Sequence, residues 1–247
     1  MQSTELLSPA ANLESGKAAI DCGADAVYIG APKYGARAAA GNPLEDIVTL
    51  IQYAHLYRAK VYITMNTLLY DREIPDALEM IHQLYKAGAD GIIIQDLGLL
   101  ECDLPPIPLI ASTQMHNLAP ERIHFLDQIG FSRIILAREM PLQTIRKLSK
   151  TVKAELEYFV HGALCVGYSG QCYMSYASGG RSANRGECAQ PCRLPYSLAD
   201  LDGKVIVQNK HLLSIKDLNL SERLGNLLDV GITSFKIEGR LKGIGYV

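Results

Sequence analysis

The sequence predicts a parallel (β/α)8 TIM-like barrel, interrupted after its seventh strand by a cysteine-rich insertion. Three observations carry this expectation. A unit of one glycine, a few small or polar residues and an apolar run recurs along the chain. Amphipathic helical stretches separate the runs. Eight candidate strands start near residues 5, 26, 60, 91, 107, 133, 155 and 234 of the 247. Alternation in that number favours a closed barrel, with a doubly wound open sheet as the structural alternative.

The first strand is "ELLSPA". The second lies in "GADAVYIGAP", where Gly23 suits the left-handed residue that closes a helix and the apolar run suits a strand buried on both faces. "NPLEDIVTLIQYAHLYRAK" reads as a helix with Asn42 as cap, Pro43 in the first turn and Glu45 completing a capping box. "KVYITMNT" is the third strand, and "DALEMIHQLYKAG" places Leu78, Ile81, Leu84 and Tyr85 at helical spacing. "GADGIIIQDL" and "IPLIAST" supply the fourth and fifth strands, "GFSRIILARE" the sixth, "ELEYFVHG" the seventh and "GITSFKIEGR" the eighth. "PERIHFLDQIG" and "MPLQTIRKLSK" are the helices flanking the sixth. The chain ends in "KIEGRLKGIGYV", without the helix that would follow an eighth strand, so the barrel is expected to be incomplete at its C-terminus. Residues 1–247 are read as one catalytic barrel domain, with residues 162–213 as the insertion.

The strand ends carry polar residues: Asn66, Gln95, Asp96, Ser112 to Gln114, Arg138, Glu139, His161, Glu238 and Arg240. In a barrel these surround one mouth, where the active sites of this architecture lie.

Composition excludes several classes. A chain 48% hydrophobic and 20% charged is ordinary for a globular protein. A net charge of −2, with no run of basic residues, gives no overall attraction to a polyanion. No basic-then-apolar leader opens the chain, and no apolar window reaches membrane length. The cytoplasm is the expected location, where disulfides are the weakest explanation for clustered thiols.

Four of six cysteines fall in "CVGYSGQCYMSYASGGRSANRGECAQPC", residues 165 to 192. Their spacings match no standard zinc knuckle. A 4Fe–4S cluster tolerates varied spacing, so it is modestly preferred over zinc. "HGALC" puts His161 four residues before Cys165, which keeps a nucleophilic cysteine open. Nothing resembles G-x-S-x-G or H-E-x-x-H. Cys22 and Cys102 read as buried, inert thiols.

The same segment carries a family likeness. "ELEYFVHGALCVGYSGQCYMS" resembles the signature of the collagenase-like peptidase family of unassigned catalytic type. So do "ELLSPA", "GADAVYIG", "STQ", "RSANRGECAQPCRLPY" and "SFKIEGRLK", from residue 5 to the end. "GARAAAGN", "FVHGALCVGYSGQC" and "KHLLSIKD" are most similar to members that form 5-hydroxycytidine in large-subunit ribosomal RNA. Sister members hydroxylate tRNA uridine. Full-length relatives continue well past the position of Val247.

The resemblance implies an RNA-modifying hydroxylase with an iron–sulfur cluster on Cys165, Cys172, Cys188 and Cys192. It implies prephenate, a small dicarboxylate, as co-substrate and ribosomal RNA, or alternatively tRNA, as partner. Some relatives work in pairs, so a homo- or hetero-oligomer is also expected. From strand-end position and proximity to the cysteines, His161 is the candidate for proton transfer, and Asn66, Gln114 and Glu238 for substrate orientation. Arg138, Arg181, Arg185 and Arg240 are candidates for carboxylate or phosphate. Tyr168, Tyr173 and Tyr176 are available to stack on a base, although at least two are expected to pack against the insertion. Two alternatives remain: a peptidase using Cys165 and His161, and a non-enzymatic, metal-stabilised scaffold.

Overall fold

The computed structural model describes residues 4–37 and 41–247; of "GARAAAGN", residues 38–40 lie outside the described residues. Strands β1 (Glu5–Ala10), β2 (Ala26–Gly30), β3 (Lys60–Met65), β4 (Gly91–Ile94), β5 (Leu109–Ala111), β6 (Arg133–Ile135) and β7 (Glu155–Gly162) pair in parallel succession. The insertion contributes a hairpin, β8 (Tyr196–Ala199) with β9 (Val205–Lys210), and the short β10 (Leu218–Asn219). Strand β11 (Ser234–Ile237) then pairs with both β7 and β1, closing a ring of eight parallel strands. The closed barrel is therefore found, and the open sheet is not.

Helices α1 (Leu13–Asp21), α2 (Leu44–Leu56), α3 (Ile74–Lys86), α4 (Pro120–Gln128), α5 (Leu142–Leu148) and α7 (Leu224–Asp229) belong to the barrel. The short α6 (Met174–Gly179) lies in the insertion. After β4 the chain makes only a tight turn at Leu97–Glu101 in place of an α-helix. The repeated glycines do close helices: Gly23, Gly88, Gly130 and Gly231 have φ between +92° and +99°. The cap of α2 differs from expectation. Pro43 takes the N-cap with no side-chain cap bond, and the Asn42 amide donates to the Gly30 carbonyl at 3.3 Å.

Two apolar layers hold the barrel. Outside the strands, Val27, Ile29, Val61, Ile63, Ile92 and Ile94 pack with Ile47, Leu50 and Ile51 of α2 and Ile81 and Leu84 of α3. Full burial of each such side chain contributes about 1.5–3 kcal/mol. Inside, Leu7, Tyr28, Tyr62, Ile93, Ile110, Ile135 and Phe159 form a smaller cluster. The inner layer beside them is polar: Glu5, Arg133, Glu157, Ser234 and Lys236 are all under a tenth exposed.

All six cysteines are free thiols. Cys22 ends α1 at the surface and is exposed, and Cys102 is half-buried, so neither is the buried thiol expected. Among the described residues, no helix is long and apolar enough to cross a membrane.

Candidate functional site at the barrel mouth

The segment after β7 folds back over the C-terminal ends of the strands and roofs a cavity of about 370 Å³. Barrel residues Tyr28, Arg37, Thr64, Arg138, Phe159, Lys236, Glu238 and Arg240 line its floor and walls, and all four cysteines of the insertion line the remainder.

Specific contacts seat this roof. Ser169 donates through its amide and hydroxyl to the Glu139 carboxylate at 2.7 and 3.0 Å, and the Ser169 carbonyl lies 3.0 Å from His116 Nδ1. Gly170 has φ +74°, and a Cβ there would lie 2.0 Å from the Gln114 carbonyl oxygen, so only glycine fits. Arg193 donates to the carbonyls of Leu164 and Ile215 and to Ser214 Oγ, tying both ends of the insertion together. On the opposite rim the Arg185 guanidinium makes two 2.8 Å bonds to Glu73, one to the Leu68 carbonyl, and lies 4.2 Å over the Tyr70 ring.

Several candidates from the sequence meet in the cavity. Glu238 pairs with Arg138 at 3.2 Å and Arg37 at 3.7 Å. Burial opposes its charge, but Arg37, Arg138, Arg240 and Lys236 outweigh burial and hold the carboxyl below the usual carboxylate range. Arg138 also stacks 3.8 Å over Phe159. Arg240 donates to Thr64 Oγ1, and its buried Nε has no hydrogen-bond partner. Gln114 and Arg181 line the cavity, Arg181 with its Nε committed to the Glu187 carbonyl at 3.0 Å.

Others are placed differently. Asn66 borders the cavity but is spent on structure: Oδ1 accepts from the Ala36 amide and Nδ2 donates to Ser112 Oγ, both at 2.9 Å. Arg185 is the latch described above and does not line the cavity. His161 is exposed, 6.0 Å from the Tyr246 ring, and is also absent from the lining. The reason is a one-residue skip in the β7–β11 register: Phe159 pairs with Lys236, but His161 pairs with Ile237. The extra residue, Val160, reverses the inward–outward alternation and turns His161 away from the barrel interior.

The thiol of Cys165 is pushed up, because desolvation outweighs the opposing pull of Arg138 and Arg37. A nucleophilic cysteine needs the reverse shift and a base within hydrogen-bond reach. His161 is not that base. Tyr168, Tyr173 and Tyr176 are all exposed, at 58 to 63%, instead of packed against the insertion, and Tyr168 stands at the cavity edge against His116.

Sequence reasoning missed Arg37, Tyr28, Phe159 and Lys236. Ser234, Lys236 and Glu238 recur every second residue of one strand, and that polar alternation pointing into the barrel was the available signal.

Among the described residues, no three His, Cys, Asp or Glu side chains converge closely enough to hold a single ion. Cys165, Cys172, Cys188 and Cys192 all line the one cavity, a donor set of four thiols of the kind an iron–sulfur cluster takes. On the barrel side, three guanidiniums face one carboxylate, leaving an excess of positive charge for an anionic occupant.

Known proteins resemble this sequence. The chain is 53% identical over 243 residues to the 23S rRNA 5-hydroxycytidine C2501 synthase of Escherichia coli (strain K12), covering 98% of this chain and 37% of that protein. It is 38% identical over 253 residues to tRNA hydroxylation protein P1 of Bacillus subtilis (strain 168), covering 98% and 60%. A protein named collagenase from Porphyromonas gingivalis (strain ATCC BAA-308 / W83) is 32% identical over 259 residues, covering 98% and 62%. The chain thus spans between about a third and two thirds of these relatives. The solved structure of the U32 peptidase Mk0906 superposes with a TM-score of 0.61 at 13% identity, over 97% of this chain and 94% of that one, a likeness of fold. Residues 11–247 match the sequence pattern of Peptidase family U32, and the chain belongs to that family.

Proposed function

We propose that this chain is the catalytic barrel of an RNA hydroxylase that forms 5-hydroxycytidine in large-subunit ribosomal RNA, works in the cytoplasm, and uses prephenate as co-substrate. The observation that carries the reading is the joint placement of Cys165, Cys172, Cys188 and Cys192 with Arg37, Arg138 and Arg240 around one cavity. The 53% identity to an rRNA hydroxycytidine synthase supports the substrate class.

In this reading the four thiolates hold a 4Fe–4S cluster, which when bound supplies one-electron transfer. Arg138 and Arg240 meet the carboxylates of the dicarboxylate through charge-assisted hydrogen bonds, and the unpartnered Arg240 Nε gains an acceptor. Glu238 holds Arg138 and Arg37 in position without cancelling them. Phe159 and Tyr28 give the occupant an apolar wall, and the roof excludes water from it. Arg181 at the rim suits a phosphate. The exposed Tyr168, Tyr173 and Tyr176 offer stacking faces for a nucleotide unstacked from its helix, as any base entering a barrel mouth must be.

The test is incubation of anaerobically purified protein with unmodified large-subunit rRNA and prephenate, followed by nucleoside mass spectrometry. The reading expects 5-hydroxycytidine that depends on both prephenate and the four cysteines. Hydroxyuridine in tRNA instead would transfer the chain to the tRNA-hydroxylating relatives. Peptide cleavage that survives loss of all metal would overturn the hydroxylase reading.

A further inference from the structure

We infer that Lys236 is the proton donor and acceptor at the cavity floor, connected to the opposite face of the barrel by a buried chain of polar side chains. This rests on the hydroxylase reading only for the identity of the molecule that exchanges the proton.

Barrel interiors are ordinarily filled by layers of bulky branched apolar side chains. Here one layer is ionic. Glu5 and Glu157 balance Arg133 and Lys236, with side-chain exposures of 9, 0, 5 and 3%. Such a network is often no more stable than an apolar replacement, so stability alone gives little reason for it.

Its geometry is a continuous path. Lys236 lines the cavity, and its Nζ lies 4.1 Å from the Tyr28 ring centroid and donates to Glu157 Oε1 at 2.7 Å. The other Glu157 oxygen accepts from Ser234 Oγ at 3.1 Å, and Ser234 Oγ lies 3.4 Å from Glu5 Oε1. The second Glu5 oxygen accepts from Tyr62 Oη and Lys60 Nζ, each at 3.0 Å, and Lys60 is half exposed at the far end of the barrel. Arg133 holds Glu5 and Glu157 side by side, at 2.5 and 3.1 Å.

The charged and titratable groups facing Lys236 are Glu157 and Arg133 from β7 and β6, Tyr28 from β2, and Glu238 and Arg240 just past β11. Desolvation depresses the amine despite Glu157, with Arg240 and Arg133 acting in the same direction as burial. An amine so placed gives up a proton more readily than an exposed lysine. In the step itself, an Nζ–H bond breaks as an O–H bond forms on the occupant, leaving a neutral amine. The amine regains a proton from Glu157 once that carboxylate has taken one from Ser234 Oγ; Glu5, protonated in turn by Lys60 Nζ, restores the Ser234 hydroxyl, so each transfer breaks one N–H or O–H bond as the next forms and no electrons change hands.

Two measurements on the purified protein test this. In [13C]lysine-labelled protein, the Lys236 Cε signal, assigned by its loss in the charge-balanced K236M/E157Q double variant, should titrate below the other lysines. In the RNA assay, Ser234→Ala keeps every charge but removes the bridging hydroxyl. It should lower kcat about tenfold with KM unchanged and enlarge the solvent deuterium isotope effect, and Ser234→Thr should restore both. A Lys236 that stays charged wherever the protein is folded overturns the inference, as does an S234A variant with the parental kcat and isotope effect. If the protein hydroxylates no RNA, the hydroxylase reading fails on its own and the Lys236 titration alone decides.

Discussion

Gly170 shows how narrowly the roof of the cavity is specified. Its positive φ and the 2.0 Å that a Cβ would leave to the Gln114 carbonyl mean that Gly170→Ala must displace the Ser169–Cys172 stretch. A strained left-handed alanine costs about 1–3 kcal/mol before any clash is counted. We expect G170A to stay folded as a barrel, melt lower, and lose most of its bound iron, read by calorimetry and metal analysis. Residue-level reading of the sequence anticipated placement where residues sit in one local segment, as with the four cysteines, which all line the cavity. It failed at His161, because a single skipped residue in the β7–β11 register flips the side chain to the other face and leaves no mark in composition. It also failed at Arg185, whose partner Glu73 lies 112 residues away in the sequence.

The elements were more legible than their ends. Each β-strand of the barrel was announced by an apolar run, often after a left-handed glycine, because a strand covered by helices on one side and barrel interior on the other tolerates little polarity. The insertion was legible only as a long polar segment, since its fold is set by contacts with distant loops. Its latch, Arg185 on Glu73, is testable by pH. The hydrogen bond from Arg185 is the main cause that lowers the Glu73 carboxyl from its ordinary 4.5 to about 2. A carboxyl depressed in the folded state stabilises the latch above pH 4.5 and loses that contribution as pH falls from there towards 2. Hydrogen exchange in residues 183–190 should therefore quicken as pH drops through this window, after correction for intrinsic rates. Glu73→Gln should show the faster exchange already at pH 7, at a cost of about 1 kcal/mol for a partly exposed surface pair. Equal exchange in both proteins would mean that the Leu68–Asn184 backbone bond holds the rim unaided.

The whole molecule joins two charge systems along one axis. The inner network of Glu5, Arg133, Glu157 and Lys236 is charge-balanced and buried, whereas the cavity above it carries excess positive charge against four thiols. Removing one member of the buried network leaves its partner uncompensated. Glu157→Gln should destabilise the barrel by about 3–5 kcal/mol in urea unfolding, and K236M/E157Q should recover much of that loss. The cavity's charge makes the opposite demand, since its guanidiniums call for anionic groups, and four thiolates on an iron–sulfur core would leave net negative charge beside them. The most direct measurement is therefore the iron, sulfide and zinc content of protein purified without oxygen, with its absorbance near 400 nm. About four irons and four sulfides per chain, lost together when any one of Cys165, Cys172, Cys188 or Cys192 becomes serine, is the predicted result. Stoichiometric zinc without iron, or iron retained in all four serine variants, would contradict it.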